Sequence, residues 1–337
     1  MADVGKLSAS KITTYKGCSF AYYLKYEKHE KVPENLRMTF GKRIHYMLER
    51  FYDVKYKSAD SFANFWKYDW FQTVTGEFLK GKQKKELETK DYLYIVRNKE
   101  TKEREEKIMK IGSHVDVSPF EDVPGIIFGY MKLGESILKK FYIKHKNRTP
   151  PLEKESCFGV KKDDLFNING HLIRGVFDRI DLVNGEYYIT DYKTDKSSPV
   201  KDSFYLHRSS QFTLYSYAFR KIFSERECKN IKEKAMLFYH LRDGIRYETH
   251  RSEKDYDYLK FILDEVSEGI SKDKFVPFYG FHCGFCDQKV VCDKYAIEYR
   301  GGPRIDLENR IKPAKTFEEW DIELPSGQEW IEEQESA

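Results

Sequence analysis

The stretch GVFDRIDLVNGEYYITDYKTD, residues 175–195, limits the possible folds more than any other part of the chain. Asn184-Gly185 lies between two runs rich in β-branched and aromatic residues, the pattern of a tight hairpin, so the spacing predicts two antiparallel strands. Side chains alternate along a strand, which puts Asp191 and Lys193 on one face and Tyr192 on the other. A hairpin in this register carries Asp178 toward Asp191 and Lys193. Two carboxylates and an ammonium then converge on one spot.

That set suits phosphodiester chemistry. A hard divalent ion such as Mg²⁺ takes oxygen ligands from a few carboxylates and polarises a phosphoryl group. Asp178 and Asp191 supply such oxygens, with the carbonyl of Tyr192 as a further ligand. Lys193 is placed to position the attacking water, to assist its deprotonation or to steady the pentavalent phosphorane. Asp-x-Lys alone is also compatible with a same-face surface ion pair, so the rest of the chain has to decide between the two.

Other periodicities fill in the architecture. Residues 8–26 read as short helices capped at Ser8 or Ser10 and broken at Gly17-Cys18, and 40–57 repeat apolar residues at helical spacing. DYLYIV and EKIMKI flank the polar run RNKETKERE as two strands and a solvated turn, and 125–146 is helical up to Pro150-Pro151. Beyond Leu152 strands predominate, interrupted by helices over 206–223 and 253–270, which gives a mainly antiparallel block of strands with flanking helices. GEFLKGKQ approximates a phosphate-binding loop, but Gln83 stands where Ser or Thr must hold Mg²⁺ and no buried strand precedes it. A helicase motor is therefore not expected in this chain.

The net charge is +4, but Thr316–Ala337 holds eight acids and no Lys or Arg, which leaves +12 on residues 1–315. A basic body with 25 Tyr and 24 Phe suits a polyanionic partner with bases to stack on. MADVGKLSAS has neither the charged nor the apolar region of a secretory signal, and no membrane-length apolar run exists, so a soluble cytoplasmic protein is expected. In a reducing compartment the six cysteines read as a metal site rather than disulfides. Cys283, Cys286 and Cys292 cluster in FHCGFCDQKVVCDKY, and the remote Cys18 is the available fourth thiolate. Four thiolates satisfy zinc. Cys157 and Cys228 fall outside the pattern and read as small buried hydrophobes.

Four motifs in order resemble the RecB-type nucleases of the PD-(D/E)XK class: GKRIHYMLE with Gly41 and His45, GVFDRID with Asp178, DYKT with Asp191 and Lys193, and QFTLY with Gln211 and Tyr215. The resemblance covers about residues 7–296. It implies His45 as a metal ligand or water-orienting group, Gln211 and Tyr215 near the scissile phosphate, and an acidic residue on the preceding strand at Glu155, with Glu153 as competitor. Without it, His45 would read as a core histidine partnered by Glu49. The uneven cysteine spacing resembles the cluster-bearing branch, which includes the AddB nuclease domain and the cluster-bearing nuclease of CRISPR adaptation. That branch implies a 4Fe-4S cluster on Cys18, Cys283, Cys286 and Cys292, with zinc as the alternative.

The expected fold is α/β, a restriction-endonuclease-like core with a central mixed sheet flanked by helices. Its N-terminal helices and C-terminal cysteine region are expected to be joined by the cluster. Residues 1–300 form one nuclease domain with a divergent insertion over 58–150, and 301–337 form an acidic, disordered tail bearing Trp320 and Trp330. Asp181 and Asp195 read as charges at the edge of the sheet. The implied activity is Mg²⁺- or Mn²⁺-dependent cleavage of DNA, single-stranded or at duplex ends, as an exonuclease that leaves a 5′-phosphate and a 3′-hydroxyl. A helicase or recombination protein is the implied partner. The competing reading is a catalytically silent binding or assembly subunit with the same fold.

Overall fold

A computed structural model describes residues 5–85, 87–97, 104–161, 165–196 and 206–299. The turn between DYLYIV and EKIMKI, at 98–103, and the acidic tail with Trp320 and Trp330 lie outside these residues. In chain order the strands are β1 (Glu34–Asn35), β2 (Thr89–Arg97), β3 (Arg104–Gly112), β4 (Val115–Asp116), β5 (Glu153–Phe158), β6 (Phe166–Ile168) and β7 (His171–Ile173). They continue with β8 (Gly175–Val183), β9 (Glu186–Lys193), β10 (Glu233–His240) and β11 (Ile245–Thr249). The central sheet runs β11-β10-β9-β8-β5.

Asn184 and Gly185 have φ of +54° and +80°, the left-handed pair that a two-residue hairpin turn demands, and β8 pairs antiparallel with β9 through them. β10 instead joins β9 in parallel, with Phe238 beside Asp191 and His240 beside Lys193. The sheet is therefore mixed, where periodicity alone predicted a mainly antiparallel block. A parallel neighbour needs a crossover, and the helix Ser210–Glu227 supplies it.

Each face of the sheet covers its own core. Ile189, Met236 and Phe238 pack with Phe212, Leu214 and Phe219 of the crossover helix and with Leu259 and Leu263 of helix Glu253–Ser271. Tyr192 and Tyr239 face the opposite way, toward helices Leu36–Phe51, Ala59–Thr75 and Val123–His145. In that second core Trp66 and Trp70 stack at 5.5 Å and donate their indole N–H groups to the carbonyls of Met131 and Ile127. Their contact with the long helix depends on Gly134, where an added Cβ would lie 2.3 Å from the Trp66 ring. Trp66→Ala would empty a fully buried site and cost about 3–5 kcal/mol.

The first unit runs to Lys289; the second begins at Val290, inside helix Lys289–Tyr299, and only its residues up to Tyr299 are described. No helix among the described residues is long and apolar enough to cross a membrane. Cys157 and Cys228 are exposed, contrary to the buried positions expected of them, because Cys157 lies on the edge strand β5 and Cys228 ends a helix in a left-handed turn with φ +51°.

Candidate active site

The β8–β9 ladder pairs Arg179 with Thr190, so the next step of the same register sets Asp178 opposite Asp191. Here the backbone ladder gives way to a side chain: Asp178 Oδ2 accepts the Tyr192 N–H at 2.8 Å. On the other flank of β8, β5 pairs Lys154 with Arg179 and Ser156 with Phe177, which puts Glu155 opposite Asp178. Glu155 has φ +43°, a conformation that costs a residue with a Cβ on the order of 1 kcal/mol or more. The chain holds this strain at the position where it presents a carboxylate to Asp178.

Helix Leu36–Phe51 begins at Asn35, whose side chain caps the Arg37 N–H, and delivers His45 to the same place. Gly41, one turn earlier, lets the helix approach β9, since a Cβ there would stand 3.2 Å from Thr194 Oγ1. His45 Nε2 lies 3.0 Å from the Tyr192 carbonyl and therefore carries a proton, while Nδ1 lies 3.6 Å from Asp178 Oδ2. The partner of His45 is thus Asp178 and not Glu49. One ligand atom each from His45, Glu155 and Asp178 falls within 4.8 Å of the others.

Asp191 and Lys193 share a face, as strand alternation requires. Lys193 Nζ is 2.6 Å from Asp191 Oδ2, and Asp191 is 2% exposed. From the crossover helix, Gln211 donates to Asp191 Oδ1 at 2.7 Å and accepts from Lys193 at 3.3 Å, which fixes its amide orientation. Tyr215 lies one turn further along the same face, packed edge-on against Phe177. The Tyr192 carbonyl accepts from His45 in this arrangement.

The proton affinities reveal an excess of negative charge. Burial raises Glu155, and the Asp178 charge adds to it, so its carboxyl is pushed up to about 7. Burial also raises Asp191, against the opposing Lys193 charge. Burial works against charge on His45, but the Asp178 carboxylate outweighs it and lifts the imidazole to about 9. Asp178 stays below the ordinary range in spite of its burial, held there by His45, Lys193 and the Tyr192 N–H. Lys193 is raised because Asp191 overcomes its desolvation, and so it stays an ammonium. Protons on His45 and Glu155 thus supply positive charge where a divalent cation would, and two carboxylates with an imidazole fit such an ion.

Behind Tyr192 lies a network that sequence reading missed. Arg179, 4% exposed, donates to Asp181 through Nε at 2.6 Å and Nη2 at 2.7 Å, and reaches the hydroxyls of Tyr52 and Tyr192 with Nη1. Asp181 is therefore the counter-ion of a buried arginine, not a free edge charge, whereas Asp195 is exposed and its carbonyl accepts from His240. The available signal was the Arg179-x-Asp181 pair, which strand alternation puts on one face with Phe177. Glu153 turns to Arg226 and Ser156, leaving Glu155 as the acid at the site.

Cys18 stands at the break between helices Ala9–Gly17 and Ser19–Tyr22. The Phe278 N–H points to Cys18 Sγ at 3.5 Å and the Gly280 N–H to Cys283 Sγ at 3.4 Å, while Ser19 bonds the Val276 backbone in both directions. Burial raises the Cys286 thiol, and the neighbouring Cys18 and Cys283 sulfurs raise it further. Cys292 belongs to the second unit, on helix Lys289–Tyr299.

No curated protein matches the sequence. Among solved structures, one described as "Crystal structure of SSO0001" is similar at 17% identity over 50% of this chain and 71% of that one, with a TM-score of 0.29. The family model of the PD-(D/E)XK nuclease superfamily matches residues 6–293, a span that takes in His45, Glu155, Asp178, Asp191 and Lys193. The chain belongs to the PD-(D/E)XK nuclease superfamily.

Proposed function

We propose that this protein is a metal-dependent deoxyribonuclease of the RecB type, acting as an exonuclease or end-processing enzyme on single-stranded DNA or duplex ends. The observation that carries this reading is the group His45, Glu155 and Asp178 within 4.8 Å, with the Asp191–Lys193 pair beside it. His45, Asp178, Asp191 and the Tyr192 carbonyl would hold Mg²⁺ or Mn²⁺, with Glu155, which lies within 4.8 Å of the His45 and Asp178 ligand atoms, as an additional carboxylate. When bound, the ion would supply Lewis-acid polarisation of the phosphoryl oxygen and lower the pKa of water.

Lys193, kept protonated by Asp191, places a positive charge where the phosphorane develops its negative charge. Gln211 fixes both members of that pair through one amide. The Tyr215 phenol, pushed up to about 12 by burial and by the Asp191 and Asp178 charges, stays protonated and donates to the phosphate backbone. Residues 1–300 act as one nuclease domain with the 58–150 segment as insertion and 301–337 as an acidic tail, and a helicase or recombination protein delivers the strand in the cytoplasm.

Cys18, Cys283, Cys286 and Cys292 are proposed to bind a 4Fe-4S cluster of structural role, with zinc as the alternative metal. Backbone N–H groups aimed at Cys18 and Cys283 support thiolate sulfurs there. Iron and labile sulfide in protein purified without oxygen test this, and stoichiometric zinc without iron refutes it. For the nuclease reading, end-labelled single- and double-stranded DNA and RNA are incubated with Mg²⁺, Mn²⁺ or chelator. Metal-dependent loss of labelled DNA that disappears in Asp191→Ala and Lys193→Ala is expected. Binding without cleavage by the wild type under every metal condition would instead favour a silent assembly subunit.

A further inference from the structure

The sheet face opposite the Asp191 and Lys193 side chains carries a second charged cluster, which the proposed chemistry does not use. β11 is an edge strand, and its pairing with β10 sets Arg246 beside Tyr239. The Arg246 guanidinium lies 4.8 Å from the centroid of the Tyr239 ring, and the Lys144 ammonium lies 5.3 Å from the same centroid. Lys144 comes from the last turn of helix Val123–His145, and its Nζ donates at 2.9 Å to the Gly244 carbonyl, between β10 and β11. The chain turns just after that helix, where the Arg148 N–H bonds the His145 carbonyl at 3.0 Å.

These cations lack counter-ions. Among the described residues no carboxylate forms an ion pair with Lys144, Arg148 or Arg246, and the acid of this face, Asp181, is taken by Arg179. Burial lowers the proton affinity of Lys144, and the Arg246 and Arg148 charges lower it further. Burial lowers Arg246 as well, with Arg148 and Arg179 acting in the same direction against the opposing effect of Tyr239. His145 Nε2 lies 3.3 Å from Arg246 Nη2 and accepts from it, so the imidazole takes up one donor without supplying a negative charge.

Like charges gathered without an acid are stabilised by an anion, and the donors say which. Lys144 and Arg148 are exposed and Arg246 is half-buried, so a solute can reach all three. Two guanidinium forks and an ammonium suit a tetrahedral oxyanion that spreads its charge over several oxygens. A carboxylate, with one charge on two oxygens, would leave most of these donors unused.

We infer that Lys144, Arg148 and Arg246 form a phosphate-binding site on this face, separate from the proposed metal site. The phosphate is carried either by the backbone of a nucleic-acid strand or by a small molecule such as a mononucleotide. The inference needs neither metal nor turnover and does not depend on the nuclease reading.

Thermal melting of the full chain in chelator tests it, with inorganic phosphate at about 10 mM against chloride of equal ionic strength, too dilute for the general effect of kosmotropic salts. Phosphate is expected to raise Tm by about 2–4 °C over chloride, and both Arg246→Gln and Arg148→Gln should remove that increment. In chloride alone Arg148→Gln should melt above the wild type, because it relieves repulsion at an exposed position, and this separates a lost site from a damaged fold. Fluorescence anisotropy of a 20-nucleotide single strand across a salt series distinguishes the two sources. If a strand backbone is the ligand, the double variant Lys144→Gln/Arg148→Gln binds with a log–log salt slope shallower by about 1.4, two contacts at about 0.7 each. If a small phosphate is the ligand, that slope is unchanged and only the melting increment is lost. Equal melting in phosphate and chloride together with an unchanged slope, an increment that persists in both single variants, or an Arg148→Gln protein that melts below the wild type in chloride overturns the inference.

Discussion

His45 packs edge-on against the Tyr192 ring and the buried His145 lies beside the neighbouring Tyr239 ring, yet one holds its proton to about pH 9 and the other stays deprotonated down to about pH 2. Burial disfavours the imidazolium in each. The difference lies in the neighbours: His45 faces Asp178 and Asp191, whereas His145, stacked on Phe141 at 4.1 Å, meets Arg179, Arg246, Arg148 and Lys144. The neighbourhood of His45 accumulates negative charge and calls for a cation. The other is rich in guanidinium and keeps its histidine neutral, with Nδ1 3.4 Å from the Tyr52 hydroxyl. Tyr192 joins the two regions, its backbone touching Asp178 and His45 and its phenol lying 3.4 Å from Arg179.

The contrast predicts that the front region governs chemistry and the rear region governs stability. Asp191→Ala or Lys193→Ala should reduce metal-dependent cleavage by about 10³-fold or more in gel assays with an unchanged circular dichroism spectrum, each removing a group that meets transition-state charge. A comparable loss in Tyr52→Phe, which touches only the rear network, would blur the division.

Arg179→Leu should do the reverse. It leaves Asp181 without its cation and should lower unfolding free energy by about 3–5 kcal/mol in urea titrations. It should also weaken Mg²⁺ binding in calorimetry by freeing the Tyr192 backbone. Unchanged metal affinity would show that the two sides act independently.

The histidines should separate by pH in the metal-free protein. The raised His45 contributes stability that is complete below its unfolded value of 6.5 and is lost as pH rises toward about 9. The depressed His145 contributes stability present above 6.5 and lost as pH falls below it, at about 1.4 kcal/mol per pH unit. His45→Asn should therefore flatten the alkaline limb of stability against pH, and His145→Phe the acid limb. Gln211→Ala should have the smallest effect, about tenfold in kcat, since it only orients the Asp191–Lys193 pair.

Much of this was legible in the chain because it follows from local rules. The Asn184-Gly185 turn sets the β8–β9 register, alternation pairs Asp191 with Lys193, and helical spacing places Gln211 and Tyr215 together. The parallel β9–β10 pairing was not legible, since it depends on how the crossover helix docks. The choice of Glu155 over Glu153 rests on a left-handed backbone at Glu155, which its sequence neighbours do not announce. The burial of Arg179 stayed hidden because an arginine in a strand normally reads as exposed, and its partners Tyr52 and Tyr192 lie 127 and 13 residues away.

The parallel join between β9 and β10 also bears on the order in which the molecule takes shape. A tight hairpin closes within about 1–10 μs, but β10 reaches β9 only once the crossover helix Ser210–Glu227 has docked on the sheet. Asp178 and Asp191 can therefore meet early, while the amide of Gln211 reaches them only with the helix that carries it. The side chain that orients Asp191 and Lys193 is thus expected to arrive after the hairpin that carries them, and pulse-labelled hydrogen exchange that protects β10 as early as β8 and β9 would contradict that order.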